Sequence, residues 1–356
     1  MKTLSDICEV YSGYALKEFN DQNEGLPVIK IGNIKTDGTI TLEDCQYTSE
    51  VVNEKYYSKK GDIYVALSGA TTGKIGILES EERHVINQRV GVVRRKDDDV
   101  PQQFVKYFLM RQTDRILQEA SGCAQPNISP KQIAQYEVPK LSKTEMKEIS
   151  NILDKLSYVI TQRKDELQKL DELIKARFVE LFGLPVSNSK EWPTESMSDV
   201  APEVNYTGEF DDEVWLLNLD MVEAQTGKIL DYLMVTVDEI GNSTCTFDES
   251  NVLYSKLRPY LNKVVIPDRC GYATSELVPV QPVKSKLNRE YLAFMLRSDE
   301  FVNMITEKVA GAKMPRVSMG DFRKFAVPIP PLNLQNQFSE FVKQVDKSKV
   351  VDIKAA

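Results

Sequence analysis

A series of short segments occurs twice in this 356-residue chain, in the same order, and no other feature constrains its fold so strongly. Leu4-Ser5-Asp6-Ile7 returns as Met197-Ser198-Asp199-Val200. Residues 31–40 (IGNIKTDGTI) have the shape of 219–229 (LDMVEAQTGKI), a strand-like start and then a Gly turn into Ile. Asp62-Ile63-Tyr64-Val65 is echoed by Asn251-Val252-Leu253-Tyr254, and the apolar helix FVKYFLM at 104–110 by YLAFMLR at 291–297. Gln125-Pro126-Asn127-Ile128-Ser129 matches Met314-Pro315-Arg316-Val317-Ser318, and Tyr136-Glu137-Val138-Pro139 matches Phe325-Ala326-Val327-Pro328, both at an offset of 189. The chain is a tandem duplication.

Between the copies lies a stretch that no ordinary core accommodates. Apolar residues recur seven apart at Leu153, Ile160, Leu167, Ile174 and Leu181, with a second line at Ile149, Leu156 and Leu170 that Arg163 and Arg177 interrupt. Such spacing forms a seam along one side of a helix, and neither Gly nor Pro breaks the run from Ser142 to Phe182. At about 1.5 Å per residue the rod is roughly 60 Å long, and its narrow apolar face requires a partner helix. Under the 189 offset, Phe338, Val342 and Val345 repeat that seam after Pro330-Pro331. This second rod is at most about 25 residues, or roughly 37 Å. It is long enough to cover only the half from Ile149 to about Leu167. It is expected to pair antiparallel with the first, in which case its contacts need not be with the equivalent half, since the offset predicts a shared seam and no register. Were the equivalent half covered, Arg177 would be free to dock another protein. The expected layout is a globular unit at 1–141, a long helix at 142–183, a second unit at 184–331 and a shortened helix at 332–356. Each unit reads as α+β, with short β-rich runs between Gly, Asn and Asp turns. Gly183-Leu184-Pro185 stops the first rod.

Composition narrows the function. No run of 18 apolar residues occurs, and the start MKTLSDICEV lacks an apolar signal core, so a cytoplasmic location with no membrane partner is expected. Five cysteines without a CxxC pair, with the single His84, do not make an ordinary zinc site; reduced cysteines in packing roles are expected. One histidine in the chain also disfavours acid–base catalysis at neutral pH. The net charge of −8 argues against a wholly basic nucleic-acid binder but not against a local basic patch.

The duplicated segments carry a resemblance. The run LDELIKARFVELFG at 170–183, GCAQPNIS at 122–129 and the segment from Gly61-Asp62-Ile63-Tyr64 to Gly76 resemble the specificity (S) subunit of type I restriction–modification systems. The order of parts matches that family along nearly the whole chain: two α/β target recognition domains separated by long coiled-coil spacer helices. The resemblance implies a DNA reader without catalysis or a cofactor of its own. Each globular unit would bind one half of a split duplex site. The helices would set the gap and dock two methyltransferase subunits, which bind S-adenosylmethionine and flip and methylate adenine. Motor–nuclease subunits would join for cleavage. The shortened second helix departs from the family and supports an alternative, a degenerate chain acting as a non-reading scaffold or a competitor for methyltransferase subunits.

The residues offer DNA contacts in equivalent places. Ser68, Thr71, Thr72 and Lys74 stand in a Gly-rich turn that misses the nucleotide-binding P-loop pattern by one residue and has Ile75 where the magnesium ligand belongs. Such a turn is either a plain strand connection or a DNA-facing loop whose amides approach phosphates. In the second unit Lys256, Arg258, Tyr260, Asn262 and Lys263 form a cationic strip, read either as an exposed loop or as a phosphate and base contact. Gln125, Asn127 and Lys131, with Lys313 and Arg316, lie in loops before a helix start. Ser129 and Ser318 there are expected N-caps, and His84 is expected to be hydrogen-bonded or superficial.

Overall fold

The computed structural model describes residues 2–43, 45–120, 126–309 and 314–354. They fall into two compact units, residues 1–161 and 162–356. Each is built on a strand that starts from the same capped turn. In the first unit the Lys59 amide donates to Asp62 Oδ2 at 2.8 Å; in the second the Asp248 amide donates to Asn251 Oδ1 at 2.9 Å. The strands that follow, Ile63–Ala66 and Val252–Ser255, are buried at every position. Successive side chains of a strand point to opposite faces, so each strand serves two cores. Ile63 and Val65 join Leu4, Phe104, Val105, Leu109 and Ile133, while Tyr64 and Ala66 join Ile29, Ile86 and Val92. In the second unit Val252 and Tyr254 face the helices, and Leu253 faces Trp215, Leu217 and Phe247.

The first unit has an antiparallel sheet in the spatial order Cys8–Ser12, Val90–Arg95, Ile63–Ala66, Ile75–Ile77. A second sheet, Gln46–Thr48, Leu26–Ile29, Val85–Ile86, contains a parallel pair between its last two strands. In the second unit the order is Val264–Val265, Val252–Ser255, Leu277–Val280. Its other sheet runs Leu233–Thr236, Glu213–Leu217, Gly271–Thr274, Thr244–Phe247, again with one parallel pair. The ends of each unit are tied alike: the Leu4 amide donates to the Tyr136 carbonyl and the Met197 amide to the Phe325 carbonyl, both at 2.8 Å.

The long helix runs Lys143–Phe182. Ser142 and Glu145 form a reciprocal box at its start, Oγ accepting from the Glu145 amide and Oε2 accepting from the Ser142 amide. Gly183 ends it at φ +76°, a left-handed conformation open to Gly, and Trp192 Nε1 donates to the Phe182 carbonyl. The C-terminal helix, Leu332–Lys354, runs antiparallel to the end of the first. Phe338 packs on Phe178 and Phe182, and farther along Lys349 Nζ binds Asp171 Oδ1 at 2.7 Å. Leu170, Ile174 and Leu181 therefore share a core with Phe338, Val342 and Val345.

This pairing fixes the register that the offset left open. The C-terminal helix covers the last turns of the long helix, not the equivalent half beginning at Ile149. Antiparallel packing sets opposite ends together, and a sequence offset specifies a shared seam but no register. Ile149, Leu156 and Ile160 are exposed, with Ile152 and Val159 beside them, and Leu153 and Leu167 are half-buried. The docking role expected of Arg177 loses its basis, because it lies along the covered part and its guanidinium pairs with Glu180 at 2.7 Å.

Cys8, Cys45, Cys245 and Cys270 form no disulfide; Cys123 lies outside the described residues. Burial pushes the Cys8 thiol up to about 12 and the Cys245 thiol up to about 11, in keeping with packing rather than reactivity. His84 is buried, its Nδ1 3.2 Å from Ser58 Oγ. Among the described residues no helix is long and apolar enough to cross a membrane, and no cluster of His, Cys, Asp or Glu could hold a metal.

Candidate nucleic-acid interface

The two candidate loops have one backbone. In the first unit the Gly69 amide donates to the Pro126 carbonyl at 3.2 Å and the Ile128 amide to the Leu67 carbonyl at 2.9 Å. In the second the Arg258 amide donates to Pro315 and the Val317 amide to Lys256, both at 2.8 Å. Ser68 bridges Asn127 as Leu257 bridges Arg316. Every pair is separated by 189. The left-handed positions also coincide: Gly69 (φ +80°) with Arg258 (φ +50°), and Gly73 (φ +82°) with Asn262 (φ +50°). Gly enters that region freely and Asn readily, but an Arg there costs of order 1–3 kcal/mol. In neither unit does the loop open into a long helix: Gly69–Thr71 and Pro259–Leu261 are single 3-10 turns, followed by the strands Ile75–Ile77 and Val264–Val265. A P-loop delivers its amides from a helix N-terminus, so nucleotide cradling has no basis here.

The candidate residues divide into those committed to the fold and those facing water. Thr72 is buried, its hydroxyl donating to the Gly69 carbonyl at 2.7 Å. Asn262 is buried, with Nδ2 on the Arg297 carbonyl at 2.9 Å, and Lys263 Nζ caps the Leu219 carbonyl at 2.7 Å. These three were expected to be surface donors. Thr72 instead closes its own turn, Asn262 is tied to the last residue of the helix Arg289–Arg297, and Lys263 is tied to the turn Leu219–Met221. The Ser68 and Thr71 hydroxyls are buried and find no hydrogen-bond partner among the described residues. Lys74 and Lys256 are half-buried, while Asn127, Lys131, Arg258 and Tyr260 are exposed. Arg316 is exposed but held by Glu276 at 2.8 Å, and its guanidinium keeps that carboxyl below the usual range. Ser129 and Ser318 cap helices as expected, accepting from the Gln132 and Asp321 amides at 3.3 Å. Gln125 and Lys313 lie outside the described residues.

A second element flanks the loop in both units. The 3-10 turn Ile31–Asn33 packs beside it in the first: Ile31 Cδ1 lies 3.7 Å from where a Cβ on Gly69 would stand. In the second, Leu219–Met221 holds Lys263, and Gln225 Nε2 donates to the Tyr260 carbonyl at 2.9 Å. The turns are copies. Lys35 donates from its amide to Thr39 and Glu223 to Lys228; Ile34 bridges Ile40 as Val222 bridges Ile229. In the first unit the turn opens a cleft of about 470 Å³ lined by Lys30, Ile31, Gly32, Asn33, Lys35, Thr41, Glu43 and Gln46. Lys30 Nζ donates to Gln46 Oε1 and sits 3.9 Å above the half-exposed ring of Phe19, while Gln46 Nε2 donates to Asp21 at 2.8 Å. The sequence prediction passed over this cleft.

The comparisons with known proteins agree with this architecture. The family pattern described as "Type I restriction modification DNA specificity domain" matches residues 1–172 and again 237–355. The specificity subunit of the type I restriction enzyme EcoDI from Escherichia coli is 21% identical over 281 residues, 68% of this chain and 62% of that protein. The MjaVIII specificity subunit from Methanocaldococcus jannaschii is 27% identical over 183 residues, 48% of this chain and 42% of that one. The chain thus spans less than two thirds of the length of these relatives. Among solved structures, the type I S subunit from M. genitalium has a TM-score of 0.51 at 15% identity, covering 99% of this chain and 91% of its own. A chain from work on assembly and conformational transition of a type I system gives 0.54 at 13%, covering 99% and 92%.

Proposed function

The chain belongs to the family of type I restriction–modification DNA specificity proteins, and from that premise we propose that it reads a two-part duplex site, one half per globular unit. The observation that carries this is the pair of loops with one backbone and different side chains. Ser68-Gly69-Ala70-Thr71 stands in the first unit where Leu257-Arg258-Pro259-Tyr260 stands in the second. Copies of one shape with unlike side chains suit a site whose halves differ in sequence, because phosphate contacts position a protein and side chains at base edges specify.

The helices carry assembly. Ile149, Ile152, Leu156, Val159 and Ile160 form an exposed apolar stripe about three turns long on the part of the long helix that the C-terminal helix leaves bare. It suits the docking of methyltransferase subunits, which would bind S-adenosylmethionine, extrude the target adenine and methylate it. Motor–nuclease subunits would join that complex for cleavage, and this chain would contribute recognition alone.

Co-expression with the methyltransferase that co-purifies with it, followed by methylome sequencing, tests the reading. A split adenine motif that disappears without this chain is expected; its absence would sink the proposal. The bare stripe also fits a chain that sequesters methyltransferase subunits without reading DNA. The mass of the complex and its duplex affinity separate the two, since a pure competitor binds the enzyme and no specific DNA.

A further inference from the structure

The two units place their positive charge in different places around the same loop. The second unit has it on the loop, with Lys256 and Arg258, and its flanking turn is acidic, with Asp220 and Glu223. The first unit has Leu67 and Gly69 at the corresponding loop positions, and its flanking turn carries Lys30 and Lys35 where the copy has Asn218 and Glu223. A polyanion passing over the second unit would meet the loop first; over the first unit it would meet the turn and its cleft.

We propose that the cleft beside Ile31–Asn33 is the base-reading site of the first unit, with Lys30 and Gln46 facing the edge of a base pair. This rests on the DNA-reading function proposed above and names its side chains. Lys30 uses one of its three donors on Gln46 Oε1, which leaves two for an acceptor such as the O6 and N7 edge of guanine. Gln46 Nε2 uses one hydrogen on Asp21, which leaves the other hydrogen and one Oε1 lone pair for a base. The Phe19 ring beneath Lys30 fixes the ammonium from below and offers an apolar contact of the kind that takes a thymine methyl. Both side chains are therefore held by neighbours before DNA arrives, which lowers the cost of ordering them on binding. Lys35 is exposed at the rim, where a phosphate contact is the natural role.

The test is selection from a randomised duplex pool by the full chain in its complex with the co-purifying methyltransferase, reading base preference at each position. Lys30→Ala and Gln46→Ala are expected to lose preference in one half of the motif only, by about 5- to 150-fold at the affected position. Arg258→Ala should do the same in the other half. Gln46→Glu keeps the acceptor for Lys30 and removes the amide hydrogens, the one held by Asp21 included, so the preferred base should change to another, whereas a purely structural role would only lower the preference. Lys35→Ala should weaken all duplexes alike and lower the salt slope by about one. The intact second half serves as the control for folding and assembly. Unchanged preferences in the Lys30 and Gln46 variants, or both halves falling together, would overturn the inference and leave the DNA reading standing. A wild-type chain with no two-part preference would overturn both.

Discussion

Two identical substitutions on one seam, Ile174→Ala and Ile160→Ala, should differ several-fold in cost. They lie two heptads apart, so periodicity treats them as equivalent. Ile174 is 2% exposed in the core with Phe338, Val342 and Val345, and Ile160 is 54% exposed. Truncating Ile174 removes three buried carbons at about 0.8 kcal/mol each and leaves a cavity, for a total of about 2–5 kcal/mol. Truncating Ile160 forfeits about half of the transfer free energy, with space for water to fill. The higher helix propensity of Ala returns about 0.4 kcal/mol, leaving a net cost of about 1 kcal/mol or less. Urea unfolding of the isolated chain, followed by helical circular dichroism, is the assay. At a slope of about 2 kcal/mol/M the midpoint should fall by about 1–2.5 M for Ile174→Ala and by under about 0.5 M for Ile160→Ala. Equal shifts, or a larger one at Ile160, would refute the antiparallel register. Ile160→Ala should instead weaken capture of the methyltransferase.

The Asp62–Arg94 pair is buried, with side chains 2% and 13% exposed and atoms 2.6 Å apart, so Asp62→Asn should cost about 3–5 kcal/mol in urea unfolding. Because Asn251 caps the equivalent turn in the second unit, that substitution retains the cap and isolates the ion pair. Burial lowers the pKa of His84. The folded state then binds fewer protons than the unfolded one below about pH 6.5, so stability is full above that value and is lost as pH falls. His84→Gln should flatten the acid limb of a plot of Tm against pH. Arg258→Gly places in the second loop the residue that the first loop has at its left-handed position; it should leave stability unchanged or raise it by up to about 1 kcal/mol while weakening duplex binding. A stable variant with undiminished affinity would remove Arg258 from the interface.

The parts of the fold visible in the sequence are those governed by local rules. A seven-residue repeat without Gly or Pro becomes a helix whatever surrounds it, Ser129 and Ser318 cap because their hydroxyls reach amides three residues on, and Gly183 stops a helix by its φ. The register of the helix pair was not visible, because nothing in a seam says which end of the partner arrives. Nor were the roles of Thr72, Asn262 and Lys263, since a polar residue in a loop looks the same whether it meets DNA or a carbonyl of its own chain. Only the position of the Gly69, Arg297 and Leu219 carbonyls decides.

The cleft at Lys30 is a different case, because the signal was present and lay in the comparison of the copies. Residues 31–40 and 219–229 pair as repeats through their Gly and Ile positions, which keep the turn. Under the proposed two-part reading, base choice would reside at accessible positions that differ. Lys30 against Asn218, Lys35 against Glu223 and Gly69 against Arg258 are changes of charge or backbone freedom at points where the fold is unaltered. Under that reading, the accessible superposable positions that differ are where recognition would lie, whereas buried differences such as Asp62 against Asn251 and Gly73 against Asn262 belong to the fold.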